Sequence, residues 1–428
     1  MYAIIVSSLI YLSAFIYPTY LYVGVFVFMI PLIVTHNTLG FKEGYTWGLL
    51  FFGGHFMWLA SIVYNQGQGV MRMGAYFGLV AYFSLYSGFW LWFKQLLDGY
   101  VSRIQNHNGK CVASCCTWVI STVTFICLTC YCSMALFDCF EGYPLINPLL
   151  PLVSWSWYLE PIVYLGTFSY WIIIVFVNVS IVSLYKKFDI KTLIFLMMLL
   201  GFPALFYRYS EKIIVKKDGI FYLQPTWNDR KFTPHQIFDA IGKQLDHLAM
   251  RHMDIKFVFI PESGFPCNLL HWGKKLDRWT SLLPDTTTIF IGAHRYHEGK
   301  VFNSLYQIQD GKIVQMYDKE HLMVCVERIP RWLSISSGLF TTDDCVFSYP
   351  MHDQSNLIMA GFQPIMCSEL FYEKKKIVPG VPILFACNDS WLSLDYAQQL
   401  GKRSARLCSL QYRLPIVYVG AYDWEIMQ

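Results

Sequence analysis

Charge is scarce in this chain. Only 14% of its 428 residues are Asp, Glu, Lys or Arg, against about 25% in ordinary soluble domains. The deficit lies before residue 207, where long apolar runs leave little room for charge. The net charge of +4 is small and unclustered, so the basic stripe of a nucleic-acid-binding protein is missing. Zinc spacing is missing too. Cys267, Cys325, Cys345, Cys367, Cys387 and Cys408 form no CxxC pair and no disulfide framework, and neither a metal nor a cofactor is expected. The other seven of the 13 cysteines, Cys111, Cys115, Cys116, Cys127, Cys130, Cys132 and Cys139, lie in or beside apolar segments, where cysteine acts as a small hydrophobe. No basic region precedes Ile4, so no cleavable signal peptide is expected. Internal repeats and low-complexity stretches are absent.

What the chain does have is apolar length. Seven runs, at about 2–17, 19–35, 45–64, 74–97, 115–137, 160–185 and 190–207, predict transmembrane helices, several with the roughly 20 apolar residues a bilayer needs. Pro18 divides the first two. An inside N-terminus places Lys42, Lys94, Arg103, Lys110, Lys186, Lys187 and Lys191 in cytoplasmic loops. Only Arg72, with Asp138 and Glu141, then falls in the opposite loops, which is the distribution the positive-inside rule favours. An odd number of spans puts everything after Tyr207 outside, in the periplasm of a Gram-negative cell. The loop at 138–159 carries Pro144, Pro148, Pro151, Trp155 and Trp157. Its tryptophans read as interface anchors or, alternatively, as a lid that contacts lipid.

From Glu211 the pattern changes. Residues 213–224 predict a strand. Residues 234–252 predict a helix, with Ile237, Ile241, Leu245 and Leu248 at helical spacing. Strands follow at 256–260, 287–293, 301–308 and 312–317, the last two joined by a hairpin turn at Gln309-Asp310-Gly311-Lys312. Further strands are expected at 356–366, 382–387 and 415–421, with a helix at 394–411. Strands interleaved with helices imply a layered α/β domain over 211–428, behind a helical membrane domain over 1–207.

Three strings place a reactive side chain just past a predicted strand: Phe259-Ile260-Pro261-Glu262-Ser263, Tyr317-Asp318-Lys319-Glu320-His321 and Ile365-Met366-Cys367-Ser368-Glu369. Each residue alone has a plainer reading: a loop acid, a surface lysine, a buried structural cysteine. Together they supply a carboxylate, an ammonium and a thiol, the groups needed for acyl transfer through a thioester. A thiol is mostly protonated near neutral pH, so Glu262 is the candidate base. Lys319 would stabilise the oxyanion. Glu262 could then return the proton to the leaving alcohol and later deprotonate an incoming amine. Glu327, eight residues past Lys319, either holds Lys319 or Glu262 in place or is a solvated loop acid.

These strings resemble the Glu–Lys–Cys triad of the nitrilase superfamily. Asn303-Ser304, Tyr317-Asp318-Lys319-Glu320-His321-Leu322 and Asn388-Asp389-Ser390-Trp391 fit the same pattern. With seven preceding spans, the chain resembles the integral-membrane branch, the apolipoprotein N-acyltransferases. The resemblance implies an αββα sandwich on the periplasmic face of the inner membrane. It also implies a phospholipid acyl donor and a lipoprotein whose N-terminal amine accepts the chain. Glu262, Lys319 and Cys367 match its triad, Glu327 and Glu369 its supporting acids, and Trp227 a flexible-arm tryptophan. Trp155, Trp157, Phe265 and Phe371 are expected to line an apolar cleft with Cys367 at its base.

Three departures stand out. Ser368 replaces the family's usual aromatic after the nucleophile. Val324-Cys325-Val326 replaces Pro-Phe-Gly before the supporting glutamate. The chain stops at Gln428, which reads as a C-terminally shortened form and resembles the conjugal-transfer relatives of TraB type. The readings are therefore a lipoprotein N-acyltransferase, a nitrilase-like protein acting on another acyl or amide substrate alongside conjugation machinery, and a non-catalytic membrane scaffold.

Overall fold

The computed structural model describes residues 1–35, 39–60, 69–104, 110–132, 144–202, 215–225, 232–252, 254–281, 283–323, 327, 347–350, 352–371, 377–390, 392 and 394–428. The chain divides into two compact units: Met1–Glu211 with Leu392–Arg403, and Lys212–Trp391 with Ser404–Gln428.

The first unit is helical. Its principal helices are α1 (Tyr2–Ile16), α2 (Pro18–Leu21), α3 (Ile30–Val34), α4 (Phe41–His55), α5 (Gly69–Ile104), α6 (Lys110–Cys127), α7 (Ser156–Leu159), α8 (Ile162–Lys186) and α9 (Ile190–Gly201). By length and composition, Ser114–Cys132 and Ile162–Lys186 could each cross a membrane. The segment Tyr2–Val34 adds a third candidate if it is counted as one bent span, with a 120° turn at its break.

That break has a physical basis. Pro18 cannot donate a backbone hydrogen bond, so the helix of the first apolar run ends before it. The segment expected as one span over 19–35 is split into α2, a 3₁₀ turn (Tyr22–Phe26) and α3. Buried Asn178 of α8 serves the interrupted backbone. Its carbonyl accepts from the Met29 amide at 3.0 Å and its amide donates to the Val25 carbonyl. An apolar interior demands such internal satisfaction. Helices α4 and α5 meet through small residues. A Cβ on Gly44 would lie 2.1 Å from the Ser87 carbonyl oxygen, and one on Gly48 2.7 Å from the Ser84 Cα.

The second unit is a four-layer α/β sandwich. Its first sheet has the order β1 (Ile220–Tyr222), β2 (Phe257–Asn268), β3 (Thr288–His297), β4 (Lys300–Gln309), β5 (Lys312–Asp318). Strands β1 to β3 are parallel, and β3 to β5 antiparallel. The second sheet runs β6 (Gln363–Met366), β7 (Ile383–Ala386), β8 (Ile416–Val419), β9 (Trp424–Met427), with only β9 antiparallel.

Strand alternation builds the layers. Val258 and Ile260 of β2 face helix α10 (Pro234–Arg251) through Ile237, Phe238, Ile241 and Leu245. Phe259, between them, faces the other sheet and packs with Phe290, Met366, Leu384 and Val417. On β7, Leu384 and Ala386 point inward, while Ile383 and Phe385 meet Ala405 and Cys408 of helix α11 (Asp395–Tyr412). Because both faces are buried, these strands read as continuous apolar runs.

Local chemistry sets the element ends. Thr233 caps α10 in a reciprocal pair with Gln236, and Pro234 fills the first turn. Asp310 and Gly311 both have positive φ, 47° and 68°, the geometry of the expected hairpin turn. The strand expected at 356–366 is confined to Gln363–Met366, because Ala360 and Gly361, with φ of 45° and 87°, fold a tight turn closed by the Met359–Phe362 bridge. The strand expected at 213–224 is likewise short, beginning after a turn at Gly219. Strand β9 was not anticipated.

Candidate active site

Three strands of the second unit bring the predicted residues together. Lys319 follows β5 and Cys367 follows β6, as the strings implied. Glu262 differs. Strand β2 continues past it to Asn268, but its ladder with β3 slips between Ile260 and Phe265. Glu262 rides on this bulge, next to Ser263 at φ 55°. Bulges re-aim side chains in this way. The opposing strand permits it through Gly292, where a Cβ would sit 2.5 Å from the Glu262 Cα.

The three side chains meet in the interior. Lys319 is 1% exposed and Glu262 5%, so their charges need partners. The Lys319 ammonium donates to Glu262 Oε1 at 3.0 Å and to Glu327 Oε1 at 2.9 Å. Asn303 of β4 donates its amide to the same two oxygens, at 2.7 and 2.9 Å. The second oxygen of Glu262 accepts from the Asn388 backbone amide, and that of Glu327 from Met323. Cys367, at φ 44°, brings its thiol within electrostatic reach of Glu262 and Lys319.

The electrostatics are decided by competition. Burial opposes the charged form of Lys319, but the carboxylates of Glu262 and Glu327 outweigh it and hold its pKa well above the ordinary lysine value. Burial, reinforced by Glu262, raises Glu327 despite the opposing Lys319. Burial and the Glu262 charge also push the Cys367 thiol well above its ordinary range. The resting thiol is therefore protonated and needs a base.

Glu369 serves another set of partners. It is 1% exposed and organises the loops behind it. One of its oxygens accepts from the Tyr317 hydroxyl at 2.6 Å and from the amides of Glu320 and His321; the other accepts from the Met366 amide at 2.7 Å. One carboxylate thus ties the segments that carry Lys319 and Cys367.

The expected aromatic lining is only partly traceable. Phe265 is a correction: it is fully buried in the helix-facing core, packed against Phe238, Trp272 and Trp279. The slipped register returns it to the α10 side of β2, where it cannot line a cleft. Trp155 and Trp157 belong to the first unit, where the Trp155 ring lies tilted against Tyr22 and Trp157 is 38% exposed. Phe371 ends the 3₁₀ turn that begins at Cys367. Trp227 and the Phe371 side chain lie outside the described residues.

Sequence reasoning cited Asn303 only as part of a string and gave Tyr317 and Gly292 no role. The available signal for Asn303 was a polar side chain within the apolar run of β4, beside Phe302 and Leu305.

A two-sheet α/β sandwich that gathers a buried carboxylate, a buried ammonium and a half-buried thiol has the parts of a thiol acyl-transfer site. The chain resembles the apolipoprotein N-acyltransferase branch of the nitrilase superfamily. It is 25% identical over 186 residues to the apolipoprotein N-acyltransferase of Rhodopseudomonas palustris, a match covering 38% of this chain and 34% of that protein. The chain thus spans about a third of that relative's length. No family model matches. Among solved structures it is similar to a CN-hydrolase superfamily protein from Xanthomonas campestris (18% identity, 44% of this chain and 70% of that one, TM-score 0.30). It is also similar to a branch 10 nitrilase-superfamily member from Saccharomyces cerevisiae (12% identity, 44% and 70%, TM-score 0.27).

Proposed function

We propose that this chain is a membrane acyltransferase that moves a phospholipid acyl chain through a Cys367 thioester to the N-terminal amine of a lipoprotein. The observation that carries this reading is Lys319, buried between Glu262 and Glu327 with the Cys367 thiol within their electrostatic reach. In the first half-reaction Glu262 takes the Cys367 proton as sulfur attacks the donor ester carbonyl. Lys319 stabilises the oxyanion. The C–O bond breaks, and the leaving alcohol takes the proton from Glu262. In the second, the acceptor amine attacks the thioester and gives a proton to Glu262. The C–S bond breaks, and the departing sulfur recovers that proton. Glu327 and Glu369 act as positioning residues.

Incubating the protein with acyl-labelled phospholipid should give a labelled, hydroxylamine-labile protein. Cys367→Ser should abolish the label, and Cys408→Ser, at a buried cysteine on helix α11, should not. Label retained in Cys367→Ser would remove the thiol from the mechanism. No label in the wild type would refute the phospholipid donor.

The same reading places the chain in the inner membrane as a multi-pass protein, with residues 1–207 spanning it and 211–428 periplasmic. Its support is the Lys and Arg asymmetry together with the apolar helices Ser114–Cys132 and Ile162–Lys186. The Trp155–Trp157 pair is then a lipid contact at the interface. A reporter active only in the periplasm should work when fused after Gln428. Activity only of a cytoplasmic reporter there would overturn the orientation.

A further inference from the structure

We infer that Asn303 is a positioning residue that keeps the Glu262–Glu327 pair ready to accept the Cys367 proton. This inference rests on the thiol-base reading above, but not on the identity of the acyl donor. Four groups form a closed ring of alternating donors and acceptors. Asn303 Nδ2 and Lys319 Nζ are the donors. Glu262 Oε1 and Glu327 Oε1 are the acceptors, each taking one bond from both donors at 2.7 to 3.0 Å. The Asn303 backbone closes a further link, its carbonyl accepting from the Lys319 amide at 2.8 Å. One residue thus fixes both carboxylates and the root of the ammonium.

The amide also shows where its bonding capacity goes. Both Nδ2 protons are spent on carboxylates, while Oδ1 is buried and has no partner among the described residues. An unpaired buried acceptor is unfavourable. Turning the amide over would be worse, since it would set an oxygen against two carboxylate oxygens. Hydrogen bonds to ionised groups are the strong class, and two of them outweigh the unpaired oxygen.

The chemical reason for an amide follows. Two carboxylates share one ammonium, so the cluster carries one negative charge in excess and would bind a stray proton. An amide nitrogen donates to both and has no proton acceptor of its own to offer. It therefore orients the facing oxygens as acceptors. Of the other titratable neighbours, Cys387 lies within electrostatic reach of Cys367 and Glu262. His294, opposite Asn303 on β3, is pushed by burial to a pKa of about 4 and stays neutral at working pH. Arg295 is neutralised by Asp318, which bonds Ser304 on the other face of β4.

The test is the pH dependence of Cys367 alkylation by iodoacetamide, located by mass spectrometry, on the full-length protein. Deleting the donor lets the carboxylate pair take up a proton at higher pH. Asn303→Leu should therefore shift the acid limb of the alkylation profile upward by about one pH unit. Asn303→Ser, whose single hydroxyl can serve only one carboxylate, should give a smaller shift and stand in if the leucine variant does not fold. A profile that falls uniformly at all pH values with an unmoved acid limb, in the folded serine variant, would overturn the inference and leave Asn303 as packing. Alkylation with a clear acid limb in a wild type that forms no thioester from phospholipid would refute the donor, and the shift would still decide the role of Asn303.

Discussion

Replacing Lys319 with methionine should slow thioester formation about 100- to 1,000-fold, the usual cost of removing an oxyanion donor. Single-turnover labelling with acyl-labelled phospholipid measures it, and near-normal rates would take the lysine out of the mechanism. The same substitution should reshape stability. In the native protein the ammonium bonds Glu262 and Glu327, both buried. Without it, two uncompensated carboxylates face each other. Removing one partner of a buried ion pair typically costs about 3–5 kcal/mol. The variant can recover part of this by protonating the pair, whose folded-state proton affinity then rises above that of an unfolded carboxylate. A raised carboxylate pKa contributes stability that is present below the unfolded value and lost as pH rises through the folded one. The stability deficit of Lys319→Met against the wild type should therefore be smaller near pH 5 than near pH 8, as thermal unfolding across that range would register. An equal deficit at both pH values would mean that the two carboxylates do not depend on Lys319.

The second large effect is expected at Glu369, which touches none of the three reacting groups in the bonds described above. Its carboxylate accepts from the Tyr317 hydroxyl and from the amides of Glu320, His321 and Met366. Glu369→Gln presents an amide nitrogen to donors, whichever way it turns. Losing a charge-assisted bond and leaving a buried donor unpaired should cost about 3 kcal/mol, or roughly 6–12 °C in a unit of this size. Tyr317→Phe removes one bond only and should cost about 1 kcal/mol. Thioester formation should fall in Glu369→Gln, because the segments after β5 and β6 lose their common anchor. Wild-type melting and rate in Glu369→Gln would show that the two segments hold their places without it.

The residues themselves carried much of this. Alternating and continuous apolar runs located β3, β4, β5 and β7 because burial on one or both faces leaves a periodic trace. The Asp310-Gly311 turn marked a boundary because its residue types fit the positive φ a tight hairpin needs. The three strings named Glu262, Lys319 and Cys367 because each follows a predicted strand; Lys319 and Cys367 do end strands, whereas Glu262 sits on a bulge inside β2. Phe265 could not be placed by that logic. Its position depends on a register slip in β2, and a one-residue slip reverses which face a side chain occupies.

The sequence by itself determined the apolar first half, the α/β second half and the residue types of the site, since all three are written in local composition and spacing. Tertiary structure alone decided the rest. Lys319 and Glu327 are near neighbours in the chain, but Glu262 and Asn303 reach them only when β2 and β4 come together in one sheet. Glu369 becomes the anchor of two loops only when the second sheet stacks on the first. Such meetings join residues tens of positions apart. The physical reason they escape sequence reading is that no local propensity records a contact made by the folding of distant strands.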